Sequence, residues 1–140
     1  MRYLMSLIIA LHAGVALASD YDPQKVIYHI NYKDMSRFHH TLANMANHIA
    51  ALGEDNIELK AVVHGEAIEI FMQATEDEEL QITLDAARFN GVEFIICGNS
   101  LTGYQITYED LYDVTAEDVV QAGLPEIVKL QQEGYFYVRP

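Results

Sequence analysis

The chain has 140 residues, a formal net charge of −13 and one cysteine, Cys97. Its length suits one domain, and a composition of 51% hydrophobic and 21% charged residues is typical of a folded globular core rather than a disordered chain. The acidic excess repels polyanions, so we expect no nucleic-acid partner and no binding to anionic lipid. A single cysteine excludes an intrachain disulfide and a zinc or iron–sulfur site built from cysteines of one chain.

The first 18 residues have the pattern of an export signal. Arg2 supplies a short positive region, an apolar stretch runs from Leu4 to Val15, and residues 16–18 read Ala-Leu-Ala, a small-x-small cleavage site. The stretch is shorter than the roughly 20 residues that span a membrane. We therefore expect a cleaved signal peptide over residues 1–18, with a retained anchor as the alternative. Residues 19–140 would then form a single periplasmic or secreted domain without membrane contact.

The first part of this domain predicts two strands separated by a long helix. β-Branched and aromatic residues at 25–31 and 57–63 indicate strands. Between them a helix is predicted, with Ser36 as its N-cap and Gly53 as its C-terminal stop. The apolar residues that carry its helical spacing are Phe38, Leu42, Met45, Ile49 and Leu52.

The middle of the chain begins with an ambiguous segment. Residues 66–72 fit either a strand or a helix by pattern alone. The acidic run Glu76–Glu79 suits a helix N-terminus, and the helix that follows should end at Gly91. The near-continuous apolar run Val92–Ile96 predicts a strand buried on both faces, which ends at Cys97.

The last part of the chain predicts a capped turn, a helix and a strand. Thr107 and Asp110 have the spacing of a capping box, whereas residues 113–123 have no clear pattern. A last helix has Pro125 near its first position, and residues 135–138 make a final strand. Because strands alternate with helices throughout, we predict an α/β fold with a mainly parallel sheet covered on both sides.

Two chemically interesting residues end strands in this interpretation, Cys97 and His64. Ligands of parallel α/β sheets gather at the carboxyl ends of the strands. After the cysteine, Gly98 allows a tight backbone turn, while Asn99 and Ser100 bring donors for an anion, and such donors lower the pKa of a thiol. The alternatives are that Cys97 packs as a small hydrophobic residue and that His64 only bonds a loop carbonyl.

Other histidines and tyrosines give weaker indications of a functional site. His40 and His48 lie eight residues apart, so the first helix has no adjacent histidine pair, and we expect no metal site there. His29 should point into packing or into the loop region. The tyrosines Tyr104, Tyr108 and Tyr112 recur every four residues and predict an aromatic ridge, used for packing or for a subunit contact.

The strand ends and the tail of the chain resemble the DsrE/DsrF-like family, in its small single-domain branch. The resemblance rests on His64-Gly65, on Cys97-Gly98-Asn99-Ser100-Leu101 and on the tail Leu130–Pro140, and it spans roughly Lys25 to Pro140. It implies a three-layer α/β/α sandwich with a five-stranded parallel sheet. It also implies a homo-oligomer, such as a trimer or hexamer, and favours a helix at residues 66–72.

The resemblance also implies a function. Family members in sulfur metabolism carry sulfur as a persulfide on a cysteine that matches Cys97, so we expect a sulfur-handling protein that exchanges sulfane sulfur with a donor or acceptor protein and needs no cofactor. His64 would then assist by proton transfer, and Gly98, Asn99 and Ser100 would provide room and donors for the anion. The alternatives are a non-enzymatic homo-oligomeric module, binding a small ligand or purely structural, in which Cys97 only packs, and a metal-binding protein that uses His39, His40 or His48.

Overall fold

The computed structural model describes residues 21–140. The expected signal peptide over residues 1–18 lies outside the described residues, so it stays a prediction. In the described part, no helix has the length and apolar character needed to cross a membrane.

Five strands form one sheet with every neighbouring pair parallel, which confirms the predicted α/β architecture. The spatial order is β4-β3-β2-β1-β5. The strands are β1 (Gln24–Ile30), β2 (Ile57–Val63), β3 (Val92–Cys97), β4 (Val119–Val120) and β5 (Phe136–Val138).

Helices cover both faces of the sheet and give the three-layer sandwich. They are α1 (Met35–Leu52), α2 (Ile68–Gln73), α3 (Glu78–Phe89), α4 (Gly98–Tyr104) and α5 (Gly123–Gln132). Residues of α1 to α4 join one large apolar cluster on the first face, whereas α5 forms a smaller cluster on the second face. This smaller cluster contains Ile27 and Val62 from the strands, Ile127 and Leu130 from α5, and Tyr135.

Contrary to expectation, β3 is not buried on both faces, because four helices cover one face of the sheet and only α5 covers the other. Phe94 and Ile96 are buried in the large cluster, but Glu93 is exposed and Ile95 is only half-buried. A single helix is too narrow to cover the second face, so the amino-terminal half of that face carries charged side chains. Two ion pairs lie there, Lys25 with Glu58 and Lys60 with Glu93.

The N-cap of α1 was also wrongly predicted. Asp34, not Ser36, is the N-cap: its carboxylate accepts a hydrogen bond from the Arg37 amide at 2.6 Å, and Ser36 lies inside the first turn. Both residue types are good caps, so composition alone does not choose between them. The stop at Gly53 is confirmed by its positive φ of 85° and its amide bond to the Ile49 carbonyl.

Tertiary contacts determine the secondary structure of the two segments that the sequence pattern did not assign. The helical alternative holds for residues 66–72, as a 3₁₀ turn at Gly65–Ala67 followed by α2. Residues 113–123 contain a capped 3₁₀ turn at Ala116–Asp118 and the edge strand β4. Because α5 starts at Gly123, Pro125 occupies its third position, where a missing amide is still tolerated.

Candidate functional site at the carboxyl edge of the sheet

The register of the sheet brings three predicted or reactive side chains to one edge. Val63 pairs with Ile96, so the next residues, His64 and Cys97, follow neighbouring strand ends. His29 pairs with Val62 on the other side of β2. Since side chains alternate along a strand, His29, His64 and Cys97 share the face that α5 covers.

Gly123, the first residue of α5, lies between Cys97 and His64. A Cβ atom on Gly123 would lie 3.3 Å from the Cβ of Cys97 and 3.3 Å from the Cβ of His64. The absence of a side chain therefore lets the start of α5 lie directly on the strand ends. Gly123 was not identified from the sequence because it falls in the unassigned segment 113–123; its place just before Leu124-Pro125, a helix start, was the available signal.

The Cys97 thiol lies among hydrogen-bond donors. Burial raises its pKa, but hydrogen bonds from the Ser100 hydroxyl and from the backbone amides of Gly123, Ser100 and Asn99 outweigh that effect, so the pKa is below its ordinary value. Donors of this kind stabilise the thiolate more than the thiol. The arrangement therefore favours the nucleophilic form of the sulfur.

Ser100 links the thiol to the strand end that carries His64. Its hydroxyl oxygen accepts a hydrogen bond from the Gly65 amide at 2.8 Å, which leaves its proton free to be donated to the sulfur. Gly65 has a φ of 59°, a conformation that glycine adopts without strain. The turn after β2 and the first turn of α4 thus hold each other in place at the thiol.

Gly98 and Asn99 act in different ways at this site. A Cβ atom on Gly98 would lie 2.9 Å from the Val120 carbonyl oxygen, so the missing side chain lets β4 approach α4. Asn99 has an exposed side chain, and its backbone amide bonds the Gln121 carbonyl at 3.1 Å besides facing the sulfur. Gly98 gives room, and the contribution of Asn99 comes from its backbone.

His64 turns its Nε2 atom toward His29, not toward the thiol. The two Nε2 atoms are 2.6 Å apart, and the rings stack with centroids 4.8 Å apart. The Nδ1 atom of His29 is in turn 2.6 Å from the hydroxyl of Tyr137 on β5. His29 was expected to point into packing or into the loop region; it is 7% exposed, and its bonds to His64 and Tyr137 were not expected.

The environment of this pair disfavours positive charge. Burial, the neighbouring His64 and the Arg139 cation lower the pKa of His29 to about 4. Burial and Arg139 also lower the pKa of His64. Both imidazoles are therefore neutral at pH 7, and the nearby positive charge comes from Arg139, whose guanidinium donates to the Asn31 side chain at 2.9 Å.

Cys97 is buried, with 5% of its surface exposed. It belongs to neither apolar cluster, and the groups on its sulfur are a hydroxyl and backbone amides. The sulfur is therefore neither open on the surface nor enclosed only by aliphatic side chains.

The other three histidines of the described residues lie on α1, which packs on the opposite face of the sheet from His29, His64 and Cys97. His39 and His40 are exposed on α1, and His48 bonds Tyr28 and Gln24. Across residues 21–140, no three His, Cys, Asp or Glu side chains gather as a metal site would require.

The predicted aromatic ridge is wrong, because Tyr104, Tyr108 and Tyr112 lie on three different elements: the end of α4, a 3₁₀ turn and a loop. All three are partly buried against the large apolar cluster. The hydroxyl of Tyr104 bonds Glu69 and that of Tyr112 bonds Asp85.

Comparisons with known proteins agree with this architecture. Among solved structures, the chain is similar to MTH1491 from Methanobacterium thermoautotrophicum, a protein of unknown function, with a TM-score of 0.72 and 27% sequence identity. The match covers 84% of this chain and 99% of that one. No curated protein matches the sequence. The model of the DsrE/DsrF-like family matches residues 24–140, and the chain therefore belongs to the DsrE/DsrF-like family.

Proposed function

We propose that the protein handles sulfane sulfur and carries it as a persulfide on Cys97. The family is associated with sulfur relay, and the observation that carries the proposal is the set of donors on the Cys97 sulfur. A carrier cysteine must act first as a nucleophile and then as a leaving group. Stabilising its thiolate assists both steps.

The transfer requires no oxidant. The Cys97 thiolate attacks the terminal sulfur of a donor persulfide R–S–SH, the S–S bond of the donor breaks, and R–S⁻ leaves. Cys97–S–SH results. An acceptor thiolate then attacks the outer sulfur, and Cys97 leaves as the thiolate that Ser100, Asn99 and Gly123 stabilise.

His64 is proposed as the proton acceptor at this edge. Its Cβ atom lies beside Gly123, as that of Cys97 does, and its Nδ1 atom is left free when Nε2 bonds His29. The neutral imidazole is the form that accepts a proton. Gly98 contributes room for β4 to approach the start of α4, which carries Asn99 and Ser100.

Mass spectrometry of the intact protein tests the carrier role. After incubation with a low-molecular-weight persulfide, we expect the chain to gain the mass of one sulfur atom, which a reductant removes. Cys97→Ser should gain nothing. A wild-type chain that stays unmodified while its thiol reacts with an alkylating agent would overturn the proposal.

The burial of Cys97 favours a second candidate function, a non-enzymatic homo-oligomeric module, binding a small ligand or purely structural, in which the thiol only packs. The two functions differ in one observable. If Cys97 only packs, Cys97→Ala affects stability alone, and the folded protein resists alkylation. If Cys97 is the carrier, the same substitution abolishes sulfur uptake.

Export and assembly complete the proposal. The export pattern in residues 1–18 supports a periplasmic or secreted location for the mature domain. Exposed apolar side chains on α5 and β5 support a homo-oligomer, and the family resemblance implies a trimer or a hexamer. These side chains are Leu124, Val128 and Phe136.

A further inference from the structure

The carboxyl edge of the sheet holds a continuous chain of hydrogen bonds that the carrier role of Cys97 does not by itself require. It runs from the Tyr137 hydroxyl to Nδ1 of His29, 2.6 Å away, and from Nε2 of His29 to Nε2 of His64, again 2.6 Å away. Its outer end reaches solvent, because Tyr137 is 43% exposed. Its inner end is His64, whose Cβ atom flanks Gly123 together with the Cβ atom of Cys97.

When both imidazoles are neutral, two arrangements of the protons allow both of these hydrogen bonds to form. In the first, Tyr137 donates to Nδ1 of His29, His29 donates from Nε2 to Nε2 of His64, and His64 carries its proton on Nδ1. In the second, every bond is reversed, so that Nδ1 of His64 is bare. The Nδ1 atom of His64 is thus a donor in one arrangement and a base in the other.

We propose that Tyr137, His29 and His64 form a proton relay that switches Nδ1 of His64 between these two forms during sulfur transfer. Tyr137 and His29 are positioning residues that act through His64. The inference rests on the proposed function, since it assigns the path of the proton that an acceptor thiol must lose.

The relay balances proton by proton. The acceptor thiol gives its proton to the bare Nδ1 of His64, His64 passes its Nε2 proton to Nε2 of His29, and His29 passes its Nδ1 proton to the Tyr137 oxygen. Tyr137 releases its own hydroxyl proton to water. The acceptor thiolate takes the outer sulfur of Cys97–S–SH, and Cys97 leaves as the stabilised thiolate. Nδ1 of His64 then releases its proton to water, and each hydrogen bond of the relay reverses as Tyr137 takes a proton back from water.

The surroundings favour a relay over a stable imidazolium. The charged and titratable groups next to the pair are Arg139 and the Tyr137 phenol, and Cys97 lies across Gly123 from His64. Burial and Arg139 disfavour a lasting positive charge on either ring. A concerted shift starts and ends with neutral rings, so it avoids that penalty.

Two variants separate the relay from mere packing. Tyr137→Phe keeps the ring but removes the hydroxyl, and His29→Gln keeps hydrogen-bonding groups but cannot pass a proton from one ring nitrogen to another. Tyr112→Phe is the control, because its hydroxyl bonds Asp85 away from this edge. Loading of Cys97 with sulfur and its transfer to a small thiol are measured separately.

We expect Tyr137→Phe and His29→Gln to load Cys97 as the wild type does but to transfer sulfur at least ~10-fold more slowly below the pKa of the acceptor thiol. Above that pKa, where the acceptor is already a thiolate, the difference should shrink. Tyr112→Phe should transfer normally. Equal transfer by all four proteins across the pH range would overturn the relay.

Imidazole ¹⁵N NMR gives a readout that does not depend on sulfur chemistry. Wild-type His64 should show both neutral tautomers in exchange, and Tyr137→Phe should change their ratio. Unchanged His64 tautomers in Tyr137→Phe would overturn the relay even if Cys97 carries sulfur. Failure of the wild type to load sulfur would instead remove the proposed function. The tautomers of His64 would still show whether the series of hydrogen bonds reverses its direction.

Discussion

The Ser100 hydroxyl lies between the Gly65 amide, which donates to it at 2.8 Å, and the Cys97 sulfur, to which it donates. One side chain thus joins the turn after β2 to the thiol at the end of β3. The amide holds the Ser100 oxygen in place, and the hydroxyl proton is donated to the sulfur.

Ser100→Ala should raise the pKa of Cys97. A hydrogen bond to a charged group contributes about 1.5–3 kcal/mol, so we expect a rise of about one pH unit or more. The measurement is the pH dependence of the thiolate ultraviolet absorbance. Thr102→Ala is the control, because its hydroxyl bonds only the Gly98 carbonyl within α4, at 3.1 Å. An unchanged thiol pKa in Ser100→Ala would show that the hydroxyl does not stabilise the thiolate.

Acid should destabilise the fold through His29. The pKa of His29 is about 4 in the folded protein and near its ordinary value of 6.5 in the unfolded chain. Between these values the unfolded chain binds more protons, so the free energy of unfolding falls as the pH drops from 6.5 to 4 and levels off below that. The loss attributable to His29 is roughly 3.5 kcal/mol at most, at about 1.4 kcal/mol per pH unit.

Denaturant unfolding from pH 7 to pH 3.5 measures this loss. His29→Gln should show a shallower decline than the wild type, because the carboxylates titrate in both proteins and cancel in the difference. Parallel curves for the two proteins would mean that His29 titrates normally in the fold.

Gly98→Ala should destabilise the protein through the backbone. Its new Cβ would lie 2.9 Å from the Val120 carbonyl oxygen, so β4 or α4 must move, and we expect a loss of about 1–3 kcal/mol. Gly103→Ala, in the same helix but with nothing within 4 Å, is the matched control and should be neutral or stabilising by about 0.5–1 kcal/mol. Equal thermal stability of the two variants would contradict the close approach of β4.

Gly123→Ala should disturb the thiol as well as the fold. The added Cβ, 3.3 Å from the Cβ atoms of Cys97 and His64, moves the start of α5 away from the strand ends and lengthens the bond from its amide to the sulfur. We expect a lower free energy of unfolding and a higher Cys97 pKa, measured by denaturation and by thiolate absorbance. A variant that loses stability but keeps the thiol pKa would exclude the Gly123 amide as a donor that matters.

The sequence predicted the parts of the fold that strong local patterns encode. The apolar spacing from Phe38 to Leu52 fixed α1, and the apolar run before Cys97 fixed β3. The cap of α1 was misplaced by two residues because Asp34 and Ser36 are both competent caps, and only the backbone shows which one precedes the first turn.

The candidate site was predicted only in part, because half of it depends on strand order. Cys97 and His64 were found as residues that end strands. His29 and Tyr137 are 108 residues apart, and they meet because β5 returns beside β1, a pairing that no local pattern reports. Gly123 was missed because the weak pattern of residues 113–123 hid the start of α5.

The central claim is that the fold holds Cys97 as an ionisable thiol that reagents reach at the edge of the sheet. The most direct test is the rate of Cys97 alkylation as a function of pH, in the folded protein and in denaturant. We predict a folded thiol that reacts with its half-maximal rate at a lower pH than the unfolded one. A folded thiol that does not react, or that titrates at or above the pH of the unfolded chain, would contradict the account.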